Sequence, residues 1–354
     1  MSSKKEVATD LLGKYKYYPR MTGVVLSSVA RRARALSKPV RAQIENTTAC
    51  NLKCRMCPLR EMSRKRGSLP VENFRRAYDA IRPGFLNLTG RGESLMNEGI
   101  FEMVSYAKQK GSFVKFDSNG TLFTSKNIER IIGSGLDLIS VSLDGARKET
   151  NESIRVGCDH DAIVTGLRDL VYQRDSEGIK LQIHIGTVLQ AGNVLEFMEL
   201  VELGEGLGVD KINPKPVEEY DLADNKPFTL ENYREELDQS VSQYLESRDR
   251  LSVEVDVKPL LSFLQKNETA GGRSRKDRIC MIPWYSTYIS WEGDVFPCCY
   301  YYDGQVNFGN IFDTPFNEIW NNPKYREFRT RLRDDRDSLP ICKACTKEER
   351  LLEF

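Results

Sequence analysis

The sequence predicts an α/β protein: a partial (β/α)6 barrel followed by a small α+β domain rich in cysteine. Between Val40 and Pro216, short β-like runs alternate with helical ones, as in βα units wound around a parallel sheet. Six such units suit an open barrel, in which chemistry gathers at the C-terminal ends of the strands. Eight of the nine cysteines fall into two groups, Cys50/Cys54/Cys57 and Cys280/Cys298/Cys299/Cys342/Cys345, and only Cys158 stands apart. That distribution marks two metal centres, one near each end of the chain.

Residues 1–38 are rich in Lys and Arg and predict a helical extension. Over Thr22–Ser37, Val25, Leu26, Val29, Ala33 and Leu36 fall near one helical face, with Arg31, Arg32 and Arg34 opposite or flanking. A basic amphipathic helix either packs on its own protein or lies on a membrane surface. The barrel is expected over 39–217, with strands near 40–44, 85–89, 113–117, 137–142, 181–187 and 210–214. Its helices are expected near 71–82, 98–110, 126–133, 161–174 and 193–207. Residues 218–270 read as a helical bridge: an acidic stretch, Glu218–Asp221, then helices near 229–247 and 258–266. Asn267–Asp277 has linker composition, which sets a boundary near 270. In the last segment, 271–354, the turn Glu292-Gly293-Asp294 between β-like runs predicts a hairpin that brings Cys280 towards Cys298. Helices near 315–320 and 324–333 follow, and then Cys342-Lys-Ala-Cys345.

Composition narrows the function. With 52 basic residues against 51 acidic, no global field draws the chain to nucleic acid. Mean hydropathy is −0.48, and no apolar run approaches the ~20 residues that span a bilayer. The N-terminus lacks the apolar core of a secretory signal. A cytoplasmic location is therefore expected, where thiols are kept reduced.

The candidate chemistry follows the strands. After the first comes Cys50-Asn-Leu-Lys-Cys54-Arg-Met56-Cys57, three thiols within eight residues. Three thiolates can hold three irons of a 4Fe-4S cube and leave the fourth open to a small molecule; a partial zinc site is the alternative. After the second strand comes Thr89-Gly90-Arg91-Gly92-Glu93, where glycines permit close backbone approach and a carboxylate can pair with an ammonium group. Ser118-Asn119-Gly120 follows the third strand, otherwise readable as an ordinary turn. Ser140-Val-Ser142-Leu-Asp144 follows the fourth, with Arg155 eleven residues beyond. Period-two reading groups Asn87 with Thr89, Ser140 with Ser142 and Asp144, Gln182 with His184 and Gly186, and Lys211 with Asn213 and Lys215. With helices on the apolar face, this polar set lines the lumen. His184 is then a candidate for substrate contact or proton transfer, against the commoner fate of a satisfied core histidine.

The Cys-x3-Cys-x2-Cys spacing resembles the signature of the radical SAM superfamily, whose open iron chelates S-adenosylmethionine (SAM). The resemblance implies that Cys50, Cys54 and Cys57 hold a 4Fe-4S cluster and that Gly90, Gly92 and Glu93 stand for the motif that binds the methionine amine. It departs from that motif at Arg91, which separates the glycines. It gives Ser118, Asn119, Ser140, Ser142 and Asp144 to the ribose and carboxylate of SAM, with Arg155 on the carboxylate. Met56 stands where an aromatic residue usually covers the adenine. The C-terminal cysteines resemble a SPASM or twitch extension. The full SPASM pattern uses seven cysteines and holds two clusters. The five here imply one auxiliary 4Fe-4S cluster on Cys280, Cys298, Cys342 and Cys345, leaving Cys299 as a structural thiol, an alternative ligand or a hydrogen-atom donor. A zinc knuckle is the competing reading of these thiolates.

The implied reaction opens with reductive cleavage of SAM to a 5′-deoxyadenosyl radical, which abstracts a hydrogen atom from the substrate. A reductant such as flavodoxin or ferredoxin is implied as partner. A polar lumen fits dehydrogenation or epimerisation of a sugar, polyol or aminocyclitol. Epimerisation needs a hydrogen donor, for which Cys299 or Cys158 is available. Peptide maturation, a lipid or membrane-associated substrate, and a non-catalytic Fe-S or zinc module are the alternatives.

Overall fold

The computed structural model describes residues 18–30, 32–217, 228–265 and 280–345. The acidic stretch 218–221 and the linker 267–277 lie outside the described residues. One nine-stranded sheet organises the chain: β1 (Arg41–Ile44), β2 (Phe85–Asn87), β3 (Phe113–Ser118), β4 (Leu138–Ser142), β5 (Gln182–Leu189), β6 (Lys211–Pro216), β7 (Glu254–Val255), β8 (Ser286–Ile289) and β9 (Val295–Phe296). Its spatial order is β7-β6-β5-β4-β3-β2-β1-β8-β9, parallel throughout except for the antiparallel β8–β9 hairpin. The six expected barrel strands are all present.

Helices cover one face of the sheet. In chain order the described helices are α1 (Tyr18–Val29), α2 (Val71–Ile81), α3 (Ile100–Gln109), α4 (Ser125–Gly133), α5 (Lys148–Ile154), α6 (His160–Ser176), α7 (Phe197–Leu207), α8 (Arg234–Ser247), α9 (Lys258–Leu264), α10 (Ile282–Tyr285), α11 (Phe316–Ile319), α12 (Pro323–Asp334) and α13 (Pro340–Ala344). Local chemistry starts several of them. Thr124, Asp159 and Asn322 each accept a backbone N–H of the first turn of α4, α6 and α12. The strand residues between these helices alternate fully buried with half-buried, as in β5 from Gln182 to Leu189. Ile183, Ile185 and Leu189 belong to the hydrophobic core, and the half-buried set turns to the lumen.

Three features depart from the sequence reading. The sheet runs past six strands, because β7 adds to β6 and β8 adds in parallel to β1, Arg41 opposite Ser286 and Ile44 opposite Ile289. The cysteine-rich segment therefore extends the barrel's own sheet. A short helix, α5, precedes α6; with only Asn151 and Ile154 buried it leaves little periodicity to read. The first helix ends at Val29 rather than near Ser37. Beyond it the backbone groups that would continue the helix are engaged elsewhere: Ala35 N donates to Asn321 Oδ1 at 2.9 Å and Leu36 N to Ser27 Oγ at 2.8 Å, while Arg32 O accepts from Trp284 Nε1 at 2.7 Å and Ala33 O from Arg329 Nη1 at 3.2 Å. α1 itself packs on the protein, Val24 being buried with Val40, Ile282 and Tyr285. Among the described residues no helix is long and apolar enough to cross a membrane.

The C-terminal segment has an aromatic core. Phe308 stacks on Tyr325 with ring centroids 3.7 Å apart, Phe328 meets Phe308 and Tyr301 edge-on, and Trp320 meets Tyr325 edge-on. Buried Arg329 lies over Trp320 and Tyr325 and donates from Nε to Pro283 O at 2.8 Å.

Candidate active site

Beyond β1 the chain crosses the top of the barrel as residues 45–49. Here Gly92 N donates to Thr47 O (3.1 Å), Glu93 N to Ala49 O (2.8 Å) and Thr48 N to Gly67 O (2.9 Å). A Cβ on Gly92 would lie 2.2 Å from Ala49 O, and one on Gly90 2.4 Å from Thr47 O. The close approach these glycines permit is thus to the chain that enters the cysteine loop. That loop is pinned from below by Lys53 N to Val156 O (2.9 Å) and Arg55 N to Ile154 O (3.1 Å).

Cys54 is buried, and Cys50, Met56 and Cys57 are half-buried. Burial pushes the Cys54 thiol up to about 12; Cys57, Cys50 and Asp144 add to this, and the Arg155 guanidinium opposes it. Burial also raises Cys50, with Glu93 and Cys57 pushing the same way. The three thiols therefore lie within electrostatic reach of one another, and ionising them together requires a cation among them. A thiophilic iron centre supplies that charge, since metal binding displaces thiol protons. Among the described residues no three thiol, imidazole or carboxylate groups converge to coordination distance, so the fit is one of donor chemistry and mutual proximity.

The candidate SAM contacts surround this loop. Glu93 is buried and accepts from Ser118 Oγ (2.8 Å), Leu95 N (3.1 Å) and Asn119 N (2.5 Å). Burial raises its pKa while those bonds pull it down, and the acceptor capacity left over suits an ammonium group. Asn119 Nδ2 donates to Asn51 Oδ1 at 2.9 Å and lies 4.0 Å from Cys50 Sγ. Buried Asp144 accepts from Val188 N at 2.7 Å, and its other oxygen lies 2.7 Å from Arg155 Nε. Arg155, only 7% exposed, is therefore no solvated helix-end residue. It stands between Asp144 and the cysteine loop, within electrostatic reach of Cys54 and Cys57. Asn193, which the sequence does not single out, steadies this arrangement by donating to Asp144 O (2.6 Å) and Val188 O (2.9 Å).

Strand register sets a polar belt below these groups. Asp117, Ser140, His184, Lys211 and Glu254 stand side by side across β3 to β7. One level higher, Ser142, Gly186 and Asn213 align. Lys115 pairs with Asp117 and Lys211 with Glu254, both at 3.1 Å. Asn213 Nδ2 lies 3.2 Å from His184 Nδ1; with the amide as donor, the network assigns the ring proton to Nε2. Burial, reinforced by Lys211 and Lys115, lowers the His184 pKa to about 4. The ring is neutral at pH 7 and offers Nε2–H to a ligand. Strand alternation applied to β1 and β3 also finds Arg41, Gln43, Lys115 and Asp117; Glu254 lies on a two-residue strand that shows no alternation.

The second cysteine group assembles at the other edge. Burial raises the Cys298 thiol, and Cys299, Cys280 and Cys342 push it further. Cys342 is raised by burial and by Cys345, and opposed by a hydrogen bond with Tyr301 Oη at 3.2 Å. The five thiols are thus gathered from three separate stretches of chain. Cys298 and Cys299 line a cavity of about 30 Å³ with Arg41 and Gln43, which places them beside the lumen. Cys158 lies in the turn between α5 and α6, packed against the core, its Sγ 3.6 Å from Asn151 Nδ2.

Comparison with known proteins agrees with this geometry. Residues 44–201 match the radical SAM superfamily and residues 280–346 match SPASM, an iron-sulfur cluster-binding domain. The chain is a radical SAM enzyme with a C-terminal SPASM domain. SAM, the radical SAM 4Fe-4S cluster and auxiliary iron-sulfur chemistry come with these two domains, which answers the zinc alternative. The chain is 26% identical over 307 residues to the AdoMet-dependent heme synthase of Nitratidesulfovibrio vulgaris, covering 81% of this chain and 80% of that one. It is 26% identical over 320 residues to the mycofactocin maturase MftC of Mycobacterium tuberculosis, covering 87% and 77%. Among solved structures, Streptococcus suis SuiB shares the fold with a TM-score of 0.68 at 17% identity, over 89% of this chain and 73% of that one. The anSMEcpe structure with bound AdoMet does so with a TM-score of 0.63 at 16% identity, over 87% of each.

Proposed function

We propose that the enzyme oxidises a polar substrate held in the barrel lumen, with a sugar, polyol or aminocyclitol as the first substrate class. The observation that carries this reading is the belt Asp117–Ser140–His184–Lys211–Glu254, which sets donors and acceptors at one level across five strands. When bound, the cofactors supply a 5′-deoxyadenosyl radical to take a hydrogen atom and an auxiliary cluster to accept one electron. The chain's own part is binding, orientation and proton transfer.

Cys50, Cys54 and Cys57 would hold the radical SAM cluster, and Glu93 would take the SAM amine. Ser118, Asn119 and Ser142 would position its ribose, with Ser140 one level lower in the belt; Arg155, held by buried Asp144, would lie at its carboxylate, and Met56 would cover the adenine. Cys280, Cys298, Cys342 and Cys345 would hold one auxiliary cluster. Oxidation of a substrate alcohol removes one hydrogen atom from carbon, one electron and one hydroxyl proton. Asp117, facing the lumen beside Lys115, is placed to receive that proton, and neutral His184 donates a hydrogen bond to a substrate oxygen. If epimerisation is the outcome, Cys299 is the thiol that borders the lumen. Cys158 hydrogen-bonds within the helical layer instead. A flavodoxin or ferredoxin would supply electrons.

Peptide maturation is the second reading, favoured by the likeness to mycofactocin maturase and by a fold neighbour, SuiB, solved with its precursor peptide. A lipid substrate is the third reading: Val25, Leu26 and Leu36 of the basic N-terminal segment are exposed, although α1 also packs on the protein through Val24. Substrate-dependent formation of 5′-deoxyadenosine by anaerobically reconstituted enzyme tests the choice. Stimulation of at least about tenfold by a polyol, sugar or aminocyclitol is expected, a change of ~1.4 kcal/mol in barrier. Stimulation by peptides alone would overturn the first reading in favour of the second.

A further inference from the structure

Arg91 interrupts the glycine motif, and nothing in SAM binding requires an arginine there. Its side chain crosses instead to the second cysteine group. Nη2 donates to the carbonyl of Cys299 at 2.7 Å, and the guanidinium lies 4.0 Å from the centre of the Tyr302 ring. Tyr302 in turn lies within electrostatic reach of Cys57, the last thiol of the first group. A second arginine, Arg64, grips the same segment from the exit of the SAM loop. Its Nε donates to Tyr302 O, its N to Asp303 Oδ1 at 3.0 Å and its Nη2 to buried Glu45 at 2.8 Å.

We propose that Arg91 is a positioning residue that couples the SAM site to the auxiliary-cluster loop. Gly90 and Gly92 are pressed against the backbone of residues 45–49 with no room for a Cβ, so the chain on both sides of Arg91 has no slack. Glu93 is two residues along. A small displacement of Glu93 when SAM docks is therefore passed to Arg91 rather than absorbed, and Arg91 passes it to the backbone of Cys299. The positive charge and the N–H donor it brings beside the auxiliary site also favour the reduced, more negative state of a cluster there. Coupling of two sites requires an element whose position both sites bias, and here that element is the segment from Cys298 to Gly304. The inference rests on the reading that both cysteine groups hold iron-sulfur clusters.

The test uses the full chain, reconstituted anaerobically, with SAM as the probe and no substrate. Three proteins are compared: the natural chain, R91K and R91Q. In the natural chain, SAM is expected to shift the electron paramagnetic resonance signal of the reduced auxiliary cluster. In R91Q the shift is lost, and R91K retains part of it. In a background where Cys50, Cys54 and Cys57 are alanine, only the auxiliary cluster remains, and its midpoint potential is expected to fall in the order Arg, Lys, Gln. A signal that ignores SAM in the natural chain overturns the proposal, as does one that responds equally in R91Q. Iron measured on the same samples separates this failure from that of the underlying reading: about eight irons per chain sustains two 4Fe-4S centres. About four in the natural chain overturns that reading, and the proposal with it.

Discussion

The two cysteine groups are built in opposite ways. The first lies within eight residues, Cys50–Cys57, on a loop placed by backbone hydrogen bonds and by glycines whose missing side chains let two chains touch. The second is drawn from residues 280, 298, 299, 342 and 345, brought together by an aromatic core and by arginines from the barrel. A local motif holds its thiols by sequence spacing; a dispersed one holds them by packing. The first should therefore fail through loss of a ligand, and the second also through loss of the contacts around it.

The sharpest contrast comes from one alanine in each group. Cys54→Ala is expected to reduce SAM cleavage to background, because one iron loses its anchor. Cys342→Ala is expected to keep abortive SAM cleavage while abolishing substrate turnover. Equal loss of 5′-deoxyadenosine in both variants would erase the distinction. A test of the seam between the groups is Arg64→Ala, which leaves buried Glu45 with Tyr288 Oη but without its cation. A loss of ~3–5 kcal/mol in unfolding free energy is expected for breaking such a buried pair, read from denaturant midpoints; a change below ~1 kcal/mol, typical of surface pairs, would remove the seam from the account.

In the lumen, His184 gives a pH signature. Its folded pKa, about 4, lies below the ordinary 6.5, so the unfolded chain binds a proton that the folded chain refuses. Stability is therefore expected to fall as pH drops from 6.5 towards 4, by ~3 kcal/mol in all. His184→Gln should flatten that part of the curve, and an unchanged slope would contradict the neutral, buried ring. The smallest effect belongs to Tyr301→Phe, which deletes the hydroxyl at Cys342. It is expected to make the auxiliary midpoint more negative by the equivalent of about one hydrogen bond, ~1 kcal/mol, in redox titration.

The six barrel strands and most helices were legible because each carries a clear hydrophobic period. Glu254–Val255 and Lys148–Ile154 were not, being too short to show one. The three thiols after β1 stand out by their spacing, and their role as cluster ligands is what the family resemblance carried by that spacing implies. Glu93 and Asp144 stand in the sequence as ligand contacts, and the structure adds their partners: Ser118 and Asn119 at the end of β3 for one, Val188 of β5 and Arg155 at the end of α5 for the other. Spacing singles out Arg155 but carries no information about the cross-strand bonds from Ser118, Asn119 and Val188. The reach of Arg91 to Cys299 was equally invisible, since it joins residues 208 positions apart. The parallel pairing of β8 with β1 was hidden for the same reason: it links the last quarter of the chain to its first strand.

Iron, sulfide and zinc per chain, measured after anaerobic reconstitution in the natural chain and in the Cys50/Cys54/Cys57 triple alanine variant, test the two-centre account most directly. About eight irons with matching sulfide, falling to about four in the variant, is the expected result for two 4Fe-4S clusters. About four irons and one zinc in the natural chain would contradict it, leaving the barrel chemistry in place and making the C-terminal cysteines a structural site.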